Sequence, residues 1–189
     1  MSNTGSLVVV TAPSGSGKTT IYKRILKDNP DLYFSVSYTT RKRRVFEVDG
    51  VDYFYIDRES FERKIESDEF IEWATVHGEL YGTERRQIES CLKKRKICIL
   101  DVDVQGAIRI MEEYPDALTI FIQPPGIEEL EQRLRKRGTE SEEDIRIRLM
   151  DAQNELEYRG LFKYIVINRI AEEAIREVEA IIEQEKNKR

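Results

Sequence analysis

The fold class is indicated first by a short glycine-rich segment, Ala12-Pro13-Ser14-Gly15-Ser16-Gly17-Lys18-Thr19. It follows the apolar run Leu7–Val10 and precedes a helical pattern with Ile21, Ile25 and Leu26 on one face. A strand, a glycine-rich turn and a helix in this order are the setting in which a phosphate-binding loop occurs. The N–H groups of such a turn and of the first helical turn point at an anion. The stretch therefore predicts nucleotide phosphate binding.

Two side chains of this stretch carry the expected chemistry. The Lys18 ammonium can reach the β- and γ-phosphates of a nucleotide, and the Thr19 hydroxyl can ligate Mg²⁺. The usual consensus has glycine where this chain has Ala12. A small residue at that position is a mild departure, so the prediction stands.

Composition limits the other possibilities. The chain has 189 residues, 40% apolar and 35% charged, and a net charge of −5, which argues against broad nucleic-acid affinity. No run approaches the roughly 18–20 apolar residues of a membrane span, and Met1–Gly5 lacks the features of a secretory signal. Cys91 and Cys98 lack CxxC spacing, and His77 is the only histidine. We expect a cytoplasmic protein without a membrane or nucleic-acid partner and without cysteine or multi-histidine metal sites.

Strand and helix patterns alternate along the chain, which predicts an α/β fold with a parallel sheet covered on both faces. The predicted strands are 7–11, 34–38, 53–56, 70–74, 97–103, 118–123 and 164–167. Helices are predicted over 18–27 and 58–67, then from an N-cap at Thr83 to about Lys93. Further helices are expected from about Gln105, around Leu130, around Leu149, and over a final segment with Ile170 on its core face.

Charged residues at four places have a bland and a functional interpretation. The basic run Thr39–Arg44 is a solvated loop, a nucleic-acid patch or a second phosphate site, and we favour the last. Glu72 lies in the apolar run Phe70–Ala74, although buried glutamates are rare without a partner. At period two, Asp101 and Asp103 share a face at a strand end, and a helix cap could account for only one of them.

The fourth place is a polar connection between two helices. Arg133 and Arg137 precede it, and Arg146 and Arg148 follow it. These arginines are solvated surface charge or part of a mobile lid that closes during phosphate transfer.

Taken together, these motifs resemble the guanylate kinase family over nearly the whole chain. The matching segments, in order, are Ala12–Thr19, 37–44 with Glu47, Gly50 and Tyr53, then 70–73, 81–83, 99–106 and 137–140. The resemblance implies one domain over 1–189 of the P-loop NTPase type, with an inserted lobe and a helical lid. Its core would comprise 1–36, 90–125 and 158–189, its GMP-binding lobe 37–89, and its lid 126–157.

By matching position, the resemblance implies transfer of the ATP γ-phosphoryl group to GMP, and to dGMP, with Mg²⁺ as cofactor. The ATP-binding residues would be Ala12, Pro13, Ser14, Gly15, Ser16, Gly17, Lys18, Thr19, Thr20, Arg133, Arg137 and Asn168. Guanine would be recognised by Ser37, Glu72, Thr83 and Asp103, and the GMP phosphate by Arg41, Arg44, Tyr53 and Tyr81. The catalytic set would be Lys18, Arg44, Asp101, Arg137 and Arg148. Thr19 and Asp101 would hold Mg²⁺, partly through water.

Elementary chemistry supports the choice of base independently. Guanine presents two donors, N1–H and N2–H₂, that match the two oxygens of one carboxylate such as Glu72, and adenine has no such pair. Two alternatives stay open at this point. One is an inactive guanylate-kinase-like interaction module, and the other is a kinase for a different monophosphate. The sequence leaves the choice between monomer and homodimer open.

Two departures from the family pattern matter. The family usually has proline at Arg43 and glycine at Phe46, so we expect a more flexible loop and a weaker, more salt-sensitive hold on GMP. After Asn168 the family usually has acidic residues, where this chain has Arg169 and Ile170.

Overall fold

The computed structural model describes residues 5–76, 78–137 and 141–187, without the side chains of Arg137 and Asn187. The elements, in chain order, are β1 (Ser6–Thr11), α1 (Lys18–Asp28), β2 (Tyr33–Ser35), β3 (Tyr38–Thr39), β4 (Phe54–Tyr55), α2 (Arg58–Glu66), β5 (Phe70–Val76), β6 (Glu79–Glu84), α3 (Arg85–Lys93), β7 (Ile97–Asp101), α4 (Val104–Glu113), β8 (Leu118–Gln123), α5 (Ile127–Arg137), α6 (Glu142–Glu157), a short 3-10 helix (Tyr158–Leu161), β9 (Tyr164–Ile167) and α7 (Ala171–Asn187). Within the described residues, no helix is long and apolar enough to cross a membrane.

The chain forms two compact units, of which the first comprises Val8–Pro30 and the residues from Leu118 onward. The apolar runs of β1 and β8 are buried, as expected for parallel strands covered on both faces. β8 pairs in parallel with β1 and also with β9. Helices α1 and α7 pack together, and buried Ile21 and Ile25 lie on the inner face of α1. This unit carries the glycine-rich stretch between β1 and α1.

Helices α5 and α6 form a separate apolar pair within the first unit. Their contact contains Leu130, Leu134, Ile145 and Ala152. Ser141 caps α6, because its hydroxyl accepts from the Asp144 N–H while the Asp144 carboxylate accepts from the Ser141 N–H. This reciprocal cap fixes the start of α6.

The second unit comprises residues 5–7 and Asp31–Ala117. It contains the parallel pair β2–β7 and a four-stranded sheet in the order β4-β3-β6-β5. Strands β5 and β6 are antiparallel, whereas β3 and β4 run parallel. Buried Phe61 on α2 packs against Phe70 and Leu80 of this sheet. The predicted α/β class, with a mostly parallel sheet flanked by helices, is confirmed.

Four details of the predicted elements are wrong. Thr83 is not an N-cap, because it lies inside β6 and α3 begins at Arg85. The predicted strand 34–38 is two strands, β2 and β3, in different sheets. The predicted strand 97–103 ends at Asp101, and Asp103 caps α4 by accepting from the Gly106 N–H at 2.7 Å, so the two acids do not share a strand face. Ile170 is 56% exposed and is not part of the α7 core face.

Candidate active site

The glycine-rich stretch forms a tight loop between the end of β1 and the start of α1. Gly15 and Gly17 both have φ of 88°, in the left-handed region that side chains avoid. The Ser16 N–H donates to the Pro13 carbonyl at 3.0 Å, which closes the turn. Thr19 and Thr20 are exposed in the first turn of α1, directly after Lys18. Backbone N–H groups at such a helix start favour an anion.

The buried side chain of Asn168 contacts the backbone of this loop. Its Nδ2 donates to the Ser16 carbonyl at 2.7 Å, and the side chain is buried. A Cβ on Gly17 would lie 2.5 Å from that same Nδ2, so glycine is required there for space as well as for its φ. Arg133 donates to the Asn168 carbonyl at 2.9 Å. The structure therefore places Asn168 and Arg133 next to each other near the loop. The hydrogen bonds that join them could not be inferred from the sequence.

The helix pair α5–α6 also reaches the loop. Arg148 of α6 donates from Nη1 to the Ser14 hydroxyl at 2.6 Å, and a Cβ on Gly15 would lie 2.8 Å from a methyl carbon of Leu130 on α5. Arg146 instead pairs with Glu143 on the exposed face, in agreement with the solvated-charge interpretation. The side chain of Arg137 lies outside the described residues.

In the second unit, one carboxylate organises the basic run 39–44. Both oxygens of Glu47 accept from the Arg41 guanidinium, at 2.8 and 3.1 Å. The Arg44 N–H and the Tyr55 hydroxyl also donate to Glu47, each at 2.8 Å. Burial alone would raise the pKa of Glu47, but these hydrogen bonds outweigh it and lower the pKa to about 2.

Aromatic hydroxyls complete this cluster. Arg41 donates from Nε to the Tyr81 hydroxyl at 3.2 Å and lies over the Tyr53 ring, 5.5 Å from its centroid. Burial raises the pKa of Tyr53, which keeps the phenol neutral. The structure therefore brings together Arg41, Tyr53 and Tyr81, which the resemblance assigned to one phosphate. The Arg44 guanidinium lies nearby, 58% exposed and 3.8 Å from Glu47.

The departure at Arg43 and Phe46 takes a form that the sequence did not indicate. Arg43 donates from Nη1 to the Glu47 carbonyl at 2.7 Å, so this side chain closes the loop. Phe46 is 80% exposed, and it is not among the described residues with positive φ. The loop thus avoids the conformation for which glycine would be needed.

Glu72 forms the second centre of the unit. It lies on β5, is only 6% exposed, and accepts a hydrogen bond from the Thr83 hydroxyl on β6. Burial raises the pKa of Glu72 to about 7, and the nearby Asp103 carboxylate adds to the rise, while the Thr83 hydrogen bond and Arg109 oppose it. Among the described residues, no lysine or arginine forms an ion pair with this carboxylate. The structure therefore brings Glu72, Thr83 and Asp103 together, and their role toward guanine stays a prediction.

Two other predicted residues lie at strand ends of the same unit. Asp101 is the last residue of β7 and lies close enough to raise the pKa of Tyr53. Ser37 lies in the link between β2 and β3, where its carbonyl accepts from the Phe54 N–H at 2.9 Å. Among the described residues, no hydrogen bond joins the Ser37 side chain to Glu72, Thr83 or Asp103, so its role in guanine recognition stays a prediction.

A family model for guanylate kinase matches residues 4–185 of the chain. A curated guanylate kinase of Carboxydothermus hydrogenoformans is 45% identical over 97% of this chain and 90% of its own length. The guanylate kinase of Thermotoga maritima is also 45% identical, over 97% of this chain and 89% of its own length. The chain belongs to the guanylate kinase family. The predicted family and activity class are thereby confirmed.

Solved structures agree with this assignment. The crystal structure of guanylate kinase from Anaplasma phagocytophilum has a TM-score of 0.80 and 31% identity, and covers 98% of this chain and 88% of its own. A shikimate kinase from Bacteroides thetaiotaomicron has a TM-score of 0.51 at 14% identity, covers 94% of this chain and 98% of its own, and shows the fold alone. The P-loop NTPase type of the fold is thus confirmed. The three-part division into core, lobe and lid stays a prediction.

Three residues have contacts at the candidate site that the sequence did not indicate. Glu47 appeared only as part of a matching motif, and Tyr55 and Gly106 had no role. Glu47 follows a run of arginines closely, which is a signal for an internal counter-charge. Nothing local to Gly106 indicates its contact with Glu72, since that contact joins β5 to α4.

Proposed function

We propose that the chain catalyses Mg²⁺-dependent transfer of the ATP γ-phosphoryl group to GMP or dGMP, releasing ADP and GDP or dGDP. An oxygen of the GMP phosphate attacks the γ-phosphorus in line. A new P–O bond forms as the bond to the β,γ-bridging oxygen breaks, and the electrons of the broken bond go to ADP. No nucleophilic side chain is needed, so the protein has to align two phosphates and neutralise charge.

The observation that carries the choice of GMP is the buried Glu72 carboxylate. It lies beside Thr83 and Asp103, with no arginine or lysine paired to it within the described residues. A buried carboxylate without a counter-charge is costly unless a ligand supplies donors. Guanine supplies two donors on one edge, and both would bind the ionised form. A base without them leaves the carboxylate buried and unpaired, which is a strong ground for rejection.

The phosphate roles follow from the two clusters described above. Lys18 and the loop N–H groups would hold the ATP phosphates, with Asn168 and Arg133 supporting the loop. Arg41, Tyr53 and Tyr81 would hold the GMP phosphate, and exposed Arg44 would turn toward it. Arg148 already bonds to Ser14 of the loop, which supports a role at the transferring group. Arg137 is proposed for the same role by its matching position alone.

Guanylate kinases use ATP and generally need Mg²⁺. The oxygen donors expected here, the Thr19 hydroxyl and the Asp101 carboxylate, are the kind that Mg²⁺ prefers, and Thr19 is exposed at the start of α1. When bound, the ion would neutralise charge on the phosphates. Thr19 and Asp101 would hold it, partly through water.

The inactive-module alternative fits this chain less well. Loss of catalysis in such a module is expected to remove the loop lysine or the lid arginines, whereas Lys18, Thr19 and Arg148 are present. The other alternative, a kinase for a different monophosphate, leaves the burial of Glu72 unexplained.

A coupled ADP-release assay with GMP, dGMP, AMP, UMP and CMP tests the proposal. GMP should be preferred over AMP, UMP and CMP by at least about 100-fold in kcat/KM, as expected for a site that binds substrate donors with buried groups. Lys18→Ala should abolish turnover without unfolding the protein. Lys27→Ala, an exposed lysine at the other end of α1, is the matched control and should leave turnover unchanged. Lys18→Ala activity within tenfold of wild type would contradict the assignment of the loop.

A further inference from the structure

Gly106 lies in the first turn of α4, where glycine is an unfavourable choice. Glycine within a helix is less favourable than alanine, because it loses more backbone freedom on folding. Gly106 is helical and buried, and it is not among the described residues with positive φ. Its backbone conformation therefore does not require glycine, and the explanation has to come from what surrounds it.

The space that a side chain would need at Gly106 is filled by Glu72. A Cβ built there would lie 2.6 Å from Glu72 Oε2 and 3.0 Å from its Cδ. Real Cβ atoms do not approach other atoms at 2.6 Å, so either the carboxylate or the helix would have to move. The third neighbour of that Cβ is Asp103 Oδ1 at 3.2 Å, the atom that accepts from the Gly106 N–H.

The backbone on both sides of this contact is held. Arg109, one turn along α4 from Gly106, donates from Nη1 to the Trp73 carbonyl at 2.5 Å, and Trp73 follows Glu72 on β5. The Asp103 cap fixes the first turn of α4. The end of the Glu72 side chain is the part with freedom to shift, and one of its oxygens is already bonded to Thr83. An added methyl group would therefore displace the carboxylate and leave strand and helix in place.

We propose that Gly106 is a specificity-determining position, which admits the Glu72 carboxylate against α4 and so fixes where its oxygens meet the substrate base. This inference rests on the proposed function, since it concerns the carboxylate assigned to guanine. Gly106 would thus influence base choice indirectly, through the position of the Glu72 carboxylate.

The test replaces Gly106 with alanine. Because alanine favours helix, Gly106→Ala should keep the thermal midpoint within a few degrees of wild type, yet lower kcat/KM for GMP at least about tenfold. The loss should appear mainly in the KM for GMP, with the KM for ATP unchanged. The preference for GMP over inosine monophosphate, which lacks the 2-amino group, should shrink as well. Gly160→Ala is the matched control, because a Cβ there meets nothing within 4 Å.

A double variant separates this role from a general structural one. Glu72→Ala removes the group that the new methyl would displace, so Glu72→Ala/Gly106→Ala should resemble Glu72→Ala within about twofold in kcat/KM for GMP. If the two losses multiply, or if the double variant fails to fold, Gly106 serves the fold and the inference is wrong. If Glu72→Ala lowers GMP use and Gly106→Ala does not, the inference alone fails. If Glu72→Ala leaves GMP use intact, the role of Glu72 in base choice fails and the inference with it, whereas the proposed function fails only if the wild-type protein does not phosphorylate GMP.

Discussion

Glu47 and Glu72 are buried to nearly the same degree in the same unit, 7% and 6% exposed, yet their pKa values move in opposite directions. Hydrogen bonds from Arg41, Arg44 and Tyr55 overcome the effect of burial and lower the pKa of Glu47 to about 2. For Glu72, burial prevails, and the pKa rises to about 7. The two side chains are equally shielded from solvent, but Glu72 lies deeper among protein atoms and has fewer donors around it, and both differences raise its pKa relative to that of Glu47.

The difference is the one expected between a structural carboxylate and the carboxylate that we propose for recognition of the base. Glu47 has all of these hydrogen-bond donors within the protein, and it positions Arg41 among Tyr53, Tyr55 and Tyr81. Glu72 accepts from the Thr83 hydroxyl and from the Thr83 backbone, and its pKa of about 7 leaves both its charged and its neutral form populated near neutral pH. A ligand that brings donors to Glu72 supplies what the protein supplies to Glu47.

The largest effect is expected on stability. Glu47→Gln leaves the half-buried Arg41 without its counter-charge, so the free energy of unfolding should fall by roughly 3 kcal/mol. Glu72→Gln, the matched change, removes a buried charge at pH 7.5 and should leave stability equal or higher. Urea denaturation of both variants at pH 7.5 makes the comparison. Equal losses for the two variants would mean that the carboxylates do not differ in kind.

For recognition of the base, Glu72→Gln should have the larger effect of the two substitutions. Glu72→Gln places a donor where guanine also presents one. The value of kcat/KM for GMP should therefore fall, by an amount that corresponds to a loss of roughly 2–4 kcal/mol of transition-state stabilisation. The KM for ATP should not change. Steady-state kinetics with each substrate varied in turn measures both. Normal GMP phosphorylation by this variant would show that guanine is recognised elsewhere.

The pH dependence should distinguish the two carboxylates in a third way. If guanine binds the ionised form of Glu72, as we propose, kcat/KM for GMP should fall as pH drops below about 7, by roughly tenfold at pH 6. The GMP phosphate itself titrates near pH 6, but it does so equally for wild type and variant. The wild-type profile should therefore contain a step that Glu72→Gln lacks. Identical profiles for the two proteins would contradict the role of Glu72.

Because their folded pKa values differ from the unfolded value in opposite directions, Glu72 and Glu47 should make the free energy of unfolding depend on pH in opposite ways. The folded pKa of Glu72 lies above its unfolded value, so its contribution is fully present below about pH 4.5 and is lost as pH rises toward about 7. The folded pKa of Glu47 lies below its unfolded value, so its contribution is present above about pH 4.5 and is lost as pH falls toward about 2.

The smallest effect concerns the loop around Glu47. The family resemblance alone predicts that Arg43→Pro/Phe46→Gly would strengthen GMP binding. The bond from Arg43 to the Glu47 carbonyl predicts the opposite, a few-fold rise in the KM for GMP, since one hydrogen bond is worth about 1 kcal/mol. Phe46→Gly alone should change KM by less than about twofold, because Phe46 is exposed. A lower KM for the double variant would show that the Arg43 bond is dispensable.

The features that the sequence predicted are those whose chemistry requires particular residues close together. The loop at Ala12–Thr19 needs its glycines and its lysine in one short stretch, so its place between β1 and α1 could be inferred. Glu72 could be singled out because a carboxylate within an apolar run is unusual. The alternation of strands and helices gave the fold class for the same local reason.

The features that the sequence did not predict depend on partners distant in the chain. Thr83 has the local character of an N-cap, but its hydroxyl bonds to Glu72 across the β5–β6 pair. Asp103 continues the period of β7, but the backbone turns into α4 after Asp101. The contact between Gly106 and Glu72 exists only because α4 packs on β5. Local pattern has no information on such contacts.

The number of protons released when GMP binds reports directly on the ionisation of Glu72. If Glu72 has a pKa of about 7 and must ionise to receive guanine, wild type at pH 7 should release about half a proton more than Glu72→Gln. Calorimetric titration with GMP in buffers of different ionisation enthalpy measures this difference, and protons from the GMP phosphate cancel between the two proteins. Equal proton release by wild type and Glu72→Gln would contradict the claim that Glu72 is the carboxylate held for the base.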